Sequence, residues 1–289
     1  MLKQKSKRFF MMKNYCLLLL LITTLFSCTD DTTQQNTLNS NLLQRVDFFP
    51  GLAIETRWNF NAEGLLIETT KADGTILQNF TYDANDRLTS STLFNNDGTT
   101  ETHTFTYDNN GFVTSVDGQA VTFDANLDAY YVGNLSASYR LTQINSEKLL
   151  TYAKSVYIDF DDNGDPYEQI WDEVTATYEN NNLLSFSYNE SCHSSTFDNN
   201  TNPLKNATLA IRRAFSFIQN NRWLNELYCS TNNPTTHDYC PEDPESEVFN
   251  YTYNSNNLPS IQTRDNYYLG VFENTVTAAK YYYQGDVLP

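Results

Sequence analysis

The stretch FTYDNNGFVTS (Phe105–Ser115) decides the fold of this chain. Aromatic residues alternate with Thr at a period of two on one side of Asp108, which is typical of a β-strand. The residues Asp-Asn-Asn-Gly that follow tolerate the left-handed backbone of a tight turn. A second short strand begins at Phe112. The stretch therefore predicts a β-hairpin.

The same pattern recurs along the chain, with copies at residues 58–65, 80–90, 121–124, 158–164, 176–183 and 251–260. The aromatic residues Phe60, Tyr82 and Tyr107 are 22 and 25 residues apart. Such a period holds two strands and two turns. Asp-Gly turns lie between copies, at 72–75 and 96–99, and Asp-Gly is a strong hairpin signal. Consecutive hairpins should therefore pair edge to edge.

The composition agrees with a β protein, since the chain has 20 Tyr and 18 Phe. We expect a mainly β fold, an antiparallel meander of consecutive hairpins that forms a twisted or curled sheet. Aromatic side chains should line one face, and Thr, Ser and Asn the other. The edges of such a sheet need cover, which the C-terminal segment and one helix would provide.

One segment breaks the strand pattern and predicts an amphipathic helix at about 202–221. Asn202 is a suitable cap, and Pro203 suits the first position of a helix. Apolar residues follow at helical spacing, namely Leu204, Ala207, Ile211, Ala214, Phe215 and Ile218. This stripe is expected to pack on the sheet.

The repeat resembles the Rhs or YD repeat, a Tyr-Asp-x-x-Gly-x-Leu/Val-Thr hairpin, and also lipoproteins of unknown function from Bacteroidota that are built from the same unit. The resemblance is close from Trp58 to Phe123 and looser beyond. Asp86 and Asn182 stand where the repeat has its turn Gly. Long YD arrays wrap into a shell around a toxin, and this chain has too few copies for that. The resemblance therefore implies a fold and not an activity.

The N-terminus is typical of an exported lipoprotein. Residues 1–27 combine a basic start with a short apolar run, as in a signal peptide. Leu25–Cys28 resembles the lipobox, which implies that Cys28 is acylated and becomes the first residue. Residues 28–45 are polar and predict a flexible tether, so that the repeat domain would span 46–289. We expect a lipid-anchored protein of the outer membrane, on its periplasmic face or at the cell surface, and Asp30–Asp31 resembles surface-export signals.

The charge of the chain excludes one class of partner. The formal net charge is −17, and the first 27 residues contain five basic and no acidic residues, which leaves −22 after cleavage. A chain this acidic repels nucleic acid. No nucleic-acid partner is expected, and the membrane is expected as a partner only through the lipid on Cys28.

Three cysteines remain beyond the lipobox: Cys192, Cys229 and Cys240. An exported chain favours oxidation, so we predict a Cys229–Cys240 disulfide that closes the polar loop between them. Cys192 can instead pair with either one. A zinc site is the alternative, because His193 and His237 lie with these cysteines in the sequence.

A second metal motif lies in one of the repeat turns. Asp159, Asp161, Asn163 and Asp165 place oxygen ligands as at the start of a calcium loop. The twelfth position, where a bidentate Glu belongs, is Ile170. The alternative is an ordinary repeat turn. Apart from the zinc alternative, calcium is the cofactor that the sequence suggests, and otherwise none is expected.

Function is less constrained than fold. No catalytic motif is present, His103 is expected to point outward, and no nucleophile–base pair is visible, so no enzyme is predicted. We expect a non-enzymatic binding or scaffold role in the cell envelope, with an envelope protein or a glycan as partner. The alternatives are a glycan-binding lipoprotein of a polysaccharide-uptake system and a module stabilised by calcium or zinc. The aromatic residues that suit sugar stacking are Tyr130, Tyr131, Tyr267, Tyr268, Tyr281, Tyr282 and Tyr283.

Overall fold

The structure is a computed structural model that describes residues 40–189, 191–218, 230–239 and 244–289. Within these ranges one helix, α1 (Leu204–Phe215), lies between the fourteenth and fifteenth of eighteen strands. The strands are β1 (Leu43–Phe48), β2 (Thr56–Phe60), β3 (Leu66–Lys71), β4 (Ile76–Tyr82), β5 (Leu88–Phe94), β6 (Thr100–Tyr107), β7 (Val113–Val116), β8 (Gln119–Asp124), β9 (Ala129–Asn134), β10 (Ser138–Ile144), β11 (Leu150–Phe160), β12 (Pro166–Glu179), β13 (Asn182–Tyr188), β14 (Ser191–Thr201), β15 (Asn232–Tyr239), β16 (Glu245–Tyr253), β17 (Pro259–Tyr268) and β18 (Val271–Tyr283).

The chain begins its first strand three residues before the predicted start of the repeat domain at residue 46. The described residues form one compact unit. The predicted signal peptide, the lipobox and residues 28–39 of the predicted tether lie outside the described residues.

The eighteen strands form a closed antiparallel barrel, in which each strand pairs with its neighbours in sequence. Closure comes from β1, which pairs with β2 on one side and with β18 on the other. The predicted antiparallel meander is therefore present, but the expected open sheet, twisted or curled, is wrong. Because β18 meets β1, the barrel has no edge that the helix or the C-terminal segment needs to cover.

One turn geometry repeats through the barrel. Asp108 Oδ1 accepts hydrogen bonds from the amides of Asn110 (2.9 Å) and Phe112 (2.8 Å). Gly111, at the fourth position, has φ +71°. The same pair of side-chain hydrogen bonds forms at Asn61, Asp83, Asn145, Asp161 and Asn254. The repeated Asp or Asn thus closes the turn through two backbone amides.

A register shift accompanies five of these six turns, at the end of the strand that enters the turn. One example separates Thr106 from Tyr107. A bulge adds a residue to one strand and increases the local twist and bend. Bulges repeated at the same position around a meander favour a sheet that bends consistently, which is what closure requires.

The Tyr of the repeat ties one hairpin to the preceding one. Tyr82 Oη donates to the Leu66 carbonyl oxygen at 2.6 Å, and Tyr107 Oη donates to that of Leu88 at 2.7 Å. Both acceptors begin the return strand of the previous repeat unit. The hydroxyl therefore gives this position a role that Phe cannot fill.

The two faces of the wall differ as the alternation predicts. Apolar side chains of β18 and β1–β9, such as Phe60, Phe80 and Phe105, point inward and form one buried cluster. The outer face carries cross-strand pairs of hydroxyl groups at 2.6–2.9 Å, as between Thr106 and Ser115 and between Thr92 and Thr102.

The helix lies inside the barrel. Leu204, Ile211 and Phe215 belong to the buried cluster of β18 and β1–β9, while Arg212 of the same helix donates to the Tyr178 hydroxyl of β12. A helix that contacts strands on opposite sides of a closed ring must occupy its lumen. Asn202 Oδ1 accepts from the amide of Leu204 at 3.0 Å, as expected of its capping role.

The helix is shorter than the predicted 202–221, ending at Phe215. It does not pack on one face of an open sheet, because the sheet has closed around it. In the described part of the chain, no helix combines the length and apolar content needed to cross a membrane.

The turn geometry gives a test. Asp108→Ala removes the acceptor of two amide hydrogen bonds, so we expect the free energy of unfolding to fall by about 1–2 kcal/mol in urea denaturation. Asp108→Asn keeps a side-chain acceptor, like that of Asn61 and Asn254 in their own turns. Its free energy of unfolding should therefore fall much less than that of Asp108→Ala. Equal losses in the two variants would contradict this account of the turn.

Candidate binding site in the barrel lumen

A cavity of about 560 Å³ lies inside the barrel, against strands β4 to β10. The turns that follow odd-numbered strands form one end of the barrel, which we call the hairpin end; those that follow even-numbered strands form the repeat end. Leu93, Glu101, Asp117 and Ser138 border turns of the hairpin end and line the cavity. Since Glu101 is exposed, the cavity reaches solvent on this side.

One wall of the cavity carries a histidine between two carboxylates. His103 Nδ1 lies 2.8 Å from Asp117 Oδ2, and His103 Nε2 lies 3.2 Å from Glu101 Oε1. Asp117 is itself held by the amide of Thr104, which donates to its Oδ1 at 2.7 Å. The wall therefore presents fixed hydrogen-bonding groups with excess negative charge.

The part of the cavity wall formed by β10 contains a buried arginine. Arg140 Nη1 donates to Ser155 Oγ at 3.0 Å and lies 3.4 Å from Asp172 Oδ2. Its Nε donates to the Ser216 carbonyl oxygen at 3.1 Å, just beyond α1. Burial lowers the pKa of Arg140, and the carboxylate of Asp172 opposes that shift. This arginine joins the barrel wall to the end of the helix.

The floor of the cavity is apolar. Phe215, Phe217 and Ile218 come from the end of α1 and the turn after it. Phe215 stacks on Phe105 of the wall with ring centroids 6.0 Å apart. An apolar floor below polar walls, which also include Gln78 and Gln119, suits a small ligand with one apolar face and several hydrogen-bonding groups.

The expectation that His103 points outward is wrong. The strand alternates, so His103 shares its face with Phe105 and Tyr107, and these two belong to the lumen. The sequence could have indicated this, because His103 lies two residues before Phe105 and residues two apart on a strand face the same side. Arg140 carried no such signal, because β10 has no clear copy of the repeat.

A second polar cluster lies on the inner faces of β14–β17. Ser195 Oγ and His237 Nδ1 are 3.2 Å apart, and the rings of His193 and His237 stack at 4.7 Å. Glu247 binds Arg264 Nη1 at 2.7 Å. Burial, together with the neighbouring His193 and Arg264, lowers the pKa of His237 to about 4. The Ser195–His237 pair was not visible in the sequence because 42 residues separate its members.

The predicted cysteine sites are described only in part. Cys192 is disulfide-bonded, so it offers no thiolate to the alternative zinc site. Cys229 and Cys240 lie outside the described residues, as does Cys28. A disulfide at Cys192 is what the alternative pairing with Cys229 or Cys240 requires, and that pairing would exclude the predicted Cys229–Cys240 bond.

The predicted calcium ligands lie at the turn between β11 and β12. Asp161 Oδ1 accepts from the amides of Asn163 and Asp165, the geometry of the other repeat turns. Asp159 Oδ2 accepts from the Tyr167 hydroxyl at 3.2 Å. Among the described residues no group of three or more His, Cys, Asp or Glu is arranged to hold a metal ion. Calcium binding stays a prediction.

The predicted stacking tyrosines do not form one surface. Tyr281 and Tyr283 are buried in the core, and Tyr130 packs on Phe112 with centroids 4.6 Å apart. Tyr131 packs against a second buried cluster, formed by β9–β11, and the Tyr282 ring lies under the guanidinium of Arg45. Tyr268 is exposed, and Tyr267 next to it contacts the Phe272 ring.

Comparison with known proteins supports the repeat. Residues 60–100 match the RHS repeat family, which confirms the predicted Rhs-like unit over that range. No curated protein matches the chain.

Solved structures give weak similarities. A porin-like protein from Bacteroides uniformis ATCC 8492 is 11% identical over 83% of this chain and 96% of its own, with a TM-score of 0.35. A porin-like protein from Bacteroides vulgatus ATCC 8482 is 11% identical over 68% and 97%, with a TM-score of 0.24. The Photorhabdus luminescens Tc holotoxin pore is 13% identical over 77% of this chain and 9% of its own, with a TM-score of 0.24.

The second cluster predicts a pH dependence. In the unfolded chain His237 takes up a proton near pH 6.5, whereas in the barrel it does so only near pH 4. Between these values the unfolded state binds more protons, so stability falls as the pH falls from 6.5 to 4. His237→Gln should flatten this part of a denaturation-versus-pH curve relative to the wild type. Thr236→Val, on the outer face, should leave the slope unchanged; the opposite ranking would contradict the account.

Proposed function

We propose that this protein is a lipid-anchored protein of the cell envelope that binds a small polar molecule in its lumen without transforming it. The observation that carries the proposal is the cavity of about 560 Å³, enclosed by the ring and floored by the end of α1. Its volume falls within the range of small-molecule sites, roughly 300–1,000 Å³. Barrels of this kind enclose ligand cavities where side chains do not fill the interior.

The outer wall favours a barrel that stands outside the bilayer. A barrel that spans a membrane carries an outward apolar band and a polar interior. Here Thr and Ser pairs occupy the outer face, and aromatic side chains fill much of the interior. The proposed attachment is therefore the lipid on Cys28, and the outer membrane is the proposed location.

The polar groups of the cavity favour binding over catalysis. Both ring nitrogens of His103 contact carboxylates, those of Glu101 and Asp117. Ser91, which pairs with His103 across β5 and β6 and also lines the cavity, accepts a hydrogen bond from Gln78 Nε2 at 2.8 Å. The Ser195–His237 pair lies on other strands, and a histidine whose pKa is about 4 is a weak base near neutral pH. A non-enzymatic role remains the proposal.

A cavity-filling variant tests the site. Leu93 lines the cavity, whereas its neighbour Thr92 points outward and pairs with Thr102. We expect protein isolated from its own cells to retain a small molecule in native mass spectrometry. Leu93→Trp should fill the space and reduce the bound fraction roughly tenfold or more, while Thr92→Trp should keep it. Equal occupancy in both variants, or no retained molecule in the wild type after incubation with a cell extract, would overturn the proposal.

The anchor is tested separately. Cys28→Ser removes the thiol that accepts the lipid, so the protein should lose its acyl label and leave the membrane fraction. Cys16→Ser alters a cysteine of the predicted leader and should change neither result. Membrane association that survives in Cys28→Ser would show that another feature attaches the protein.

A further inference from the structure

The hairpin of β11 and β12 has the largest exposed group of aromatic side chains at the hairpin end. Its strands contain 11 and 14 residues. Residues 166–171 are all exposed, on both faces of the sheet. The exposed fraction is 43% for Tyr157, 47% for Tyr167 and 66% for Trp171. These rings are not needed for the core, so their exposure calls for another explanation.

The three rings share one face of the hairpin. Asp159 pairs with Tyr167, and Tyr157 pairs with Gln169, across the two strands. Directly paired residues, and residues two apart, lie on the same face. Trp171 is the extra residue at the register shift beside Ser155, and its ring contacts Tyr157 with centroids 6.5 Å apart and planes at 62°.

This face is continuous with the lumen side of the wall. Ser155 lies two residues before Tyr157 on the same strand and accepts a hydrogen bond from Arg140 inside the barrel. The opposite face of the hairpin carries Lys154, whose Nζ binds Glu168 Oε2 at 3.0 Å. The cation of the hairpin is thus on the outer face, and the aromatic rings are on the inner one.

A carboxylate completes the aromatic group. The Asp159 carboxylate accepts from the Tyr167 hydroxyl at 3.2 Å. Aromatic faces carry partial negative charge and attract cations within about 6 Å of the ring. The Tyr157 and Trp171 rings, set at 62° to each other, and the nearby carboxylate give an organic cation several attractive surfaces at once.

We infer that Tyr157, Tyr167, Trp171 and Asp159 form a site for an alkylammonium group. The negative charge of the chain, −17, adds to the attraction. The group can belong to a small quaternary amine or to a lysine side chain of a partner protein. Both sources share the same chemistry, a positive charge spread over methyl or methylene groups.

The first experiment uses choline and its uncharged analogue 3,3-dimethylbutan-1-ol, with the indole N–H signals of the ¹⁵N-labelled protein as readout. The chain has three Trp, and Trp171→Phe assigns the signal of interest. Choline should shift this signal to saturation, and the uncharged analogue should bind at least threefold more weakly, roughly. Equal binding of the two would overturn the inference.

Variants supply the controls. Trp171→Ala and Tyr157→Ala should each weaken choline binding by roughly threefold or more. Ile170→Ala removes an exposed apolar side chain from the outer face of the same hairpin and should leave binding unchanged. All three positions are exposed, so the thermal midpoints should match the wild type. Loss of binding in Ile170→Ala equal to that in Trp171→Ala would contradict the assigned face.

A second titration distinguishes a small quaternary amine from a lysine side chain of a partner protein as the source of the alkylammonium group. A lysine-rich peptide that shifts the Trp171 signal at lower concentration than choline assigns the site to a protein partner, and the reverse assigns it to a small amine. Neutral oligosaccharides that saturate the signal while choline does not would replace the inference with a glycan site. Leu93→Trp, which fills the lumen cavity, should keep the choline response, so failure here and failure of the proposed lumen site are distinguishable.

Discussion

The pairing of β1 with both β2 and β18 is the constraint on which the structure depends. Once the ring is closed, every strand has two partners, and no backbone edge is left to solvent. Closure also gives each residue of a strand a fixed side. Successive positions along each strand face the lumen and the exterior in turn, so Phe105 enters the core while Thr106 joins a hydroxyl pair on the surface.

Eighteen strands enclose more space than their own side chains fill, since about eight strands already give an interior of side-chain width. The helix α1 takes up part of the excess. Its apolar side chains pack against β18 and β1–β9, and Arg140 and Thr142 fix the carbonyl oxygen of Ser216 just beyond its end. The cavity lies in the lumen beside the end of α1. The candidate site is therefore a consequence of ring size and helix length together.

Local features of this fold were predictable from the sequence, and closure was not. The hairpins, the alternating faces, the role of Asp108 in its turn and the capping by Asn202 follow from residue types at fixed spacing. A curled meander and a closed ring share the same local pattern, because closure depends on the meeting of residues near 43 and 283. The cavity was predictable to the same extent. The spacing of His103 from Phe105 indicated its face of the strand, whereas Arg140 and Ser216 are 76 residues apart and neither segment has a motif that predicts their contact.

The position of α1 in the chain sets the order in which the protein assembles. The helix precedes β15, and the seam is made by the first and the last strands. In a chain made from its N-terminus, α1 is therefore complete before β18, the strand that closes the seam. Contacts between chain ends form slowly, so the molecule passes through a stage in which α1 and the inner aromatic side chains are exposed to solvent. The pairing of β1 with β18 is therefore the step that removes these side chains from solvent.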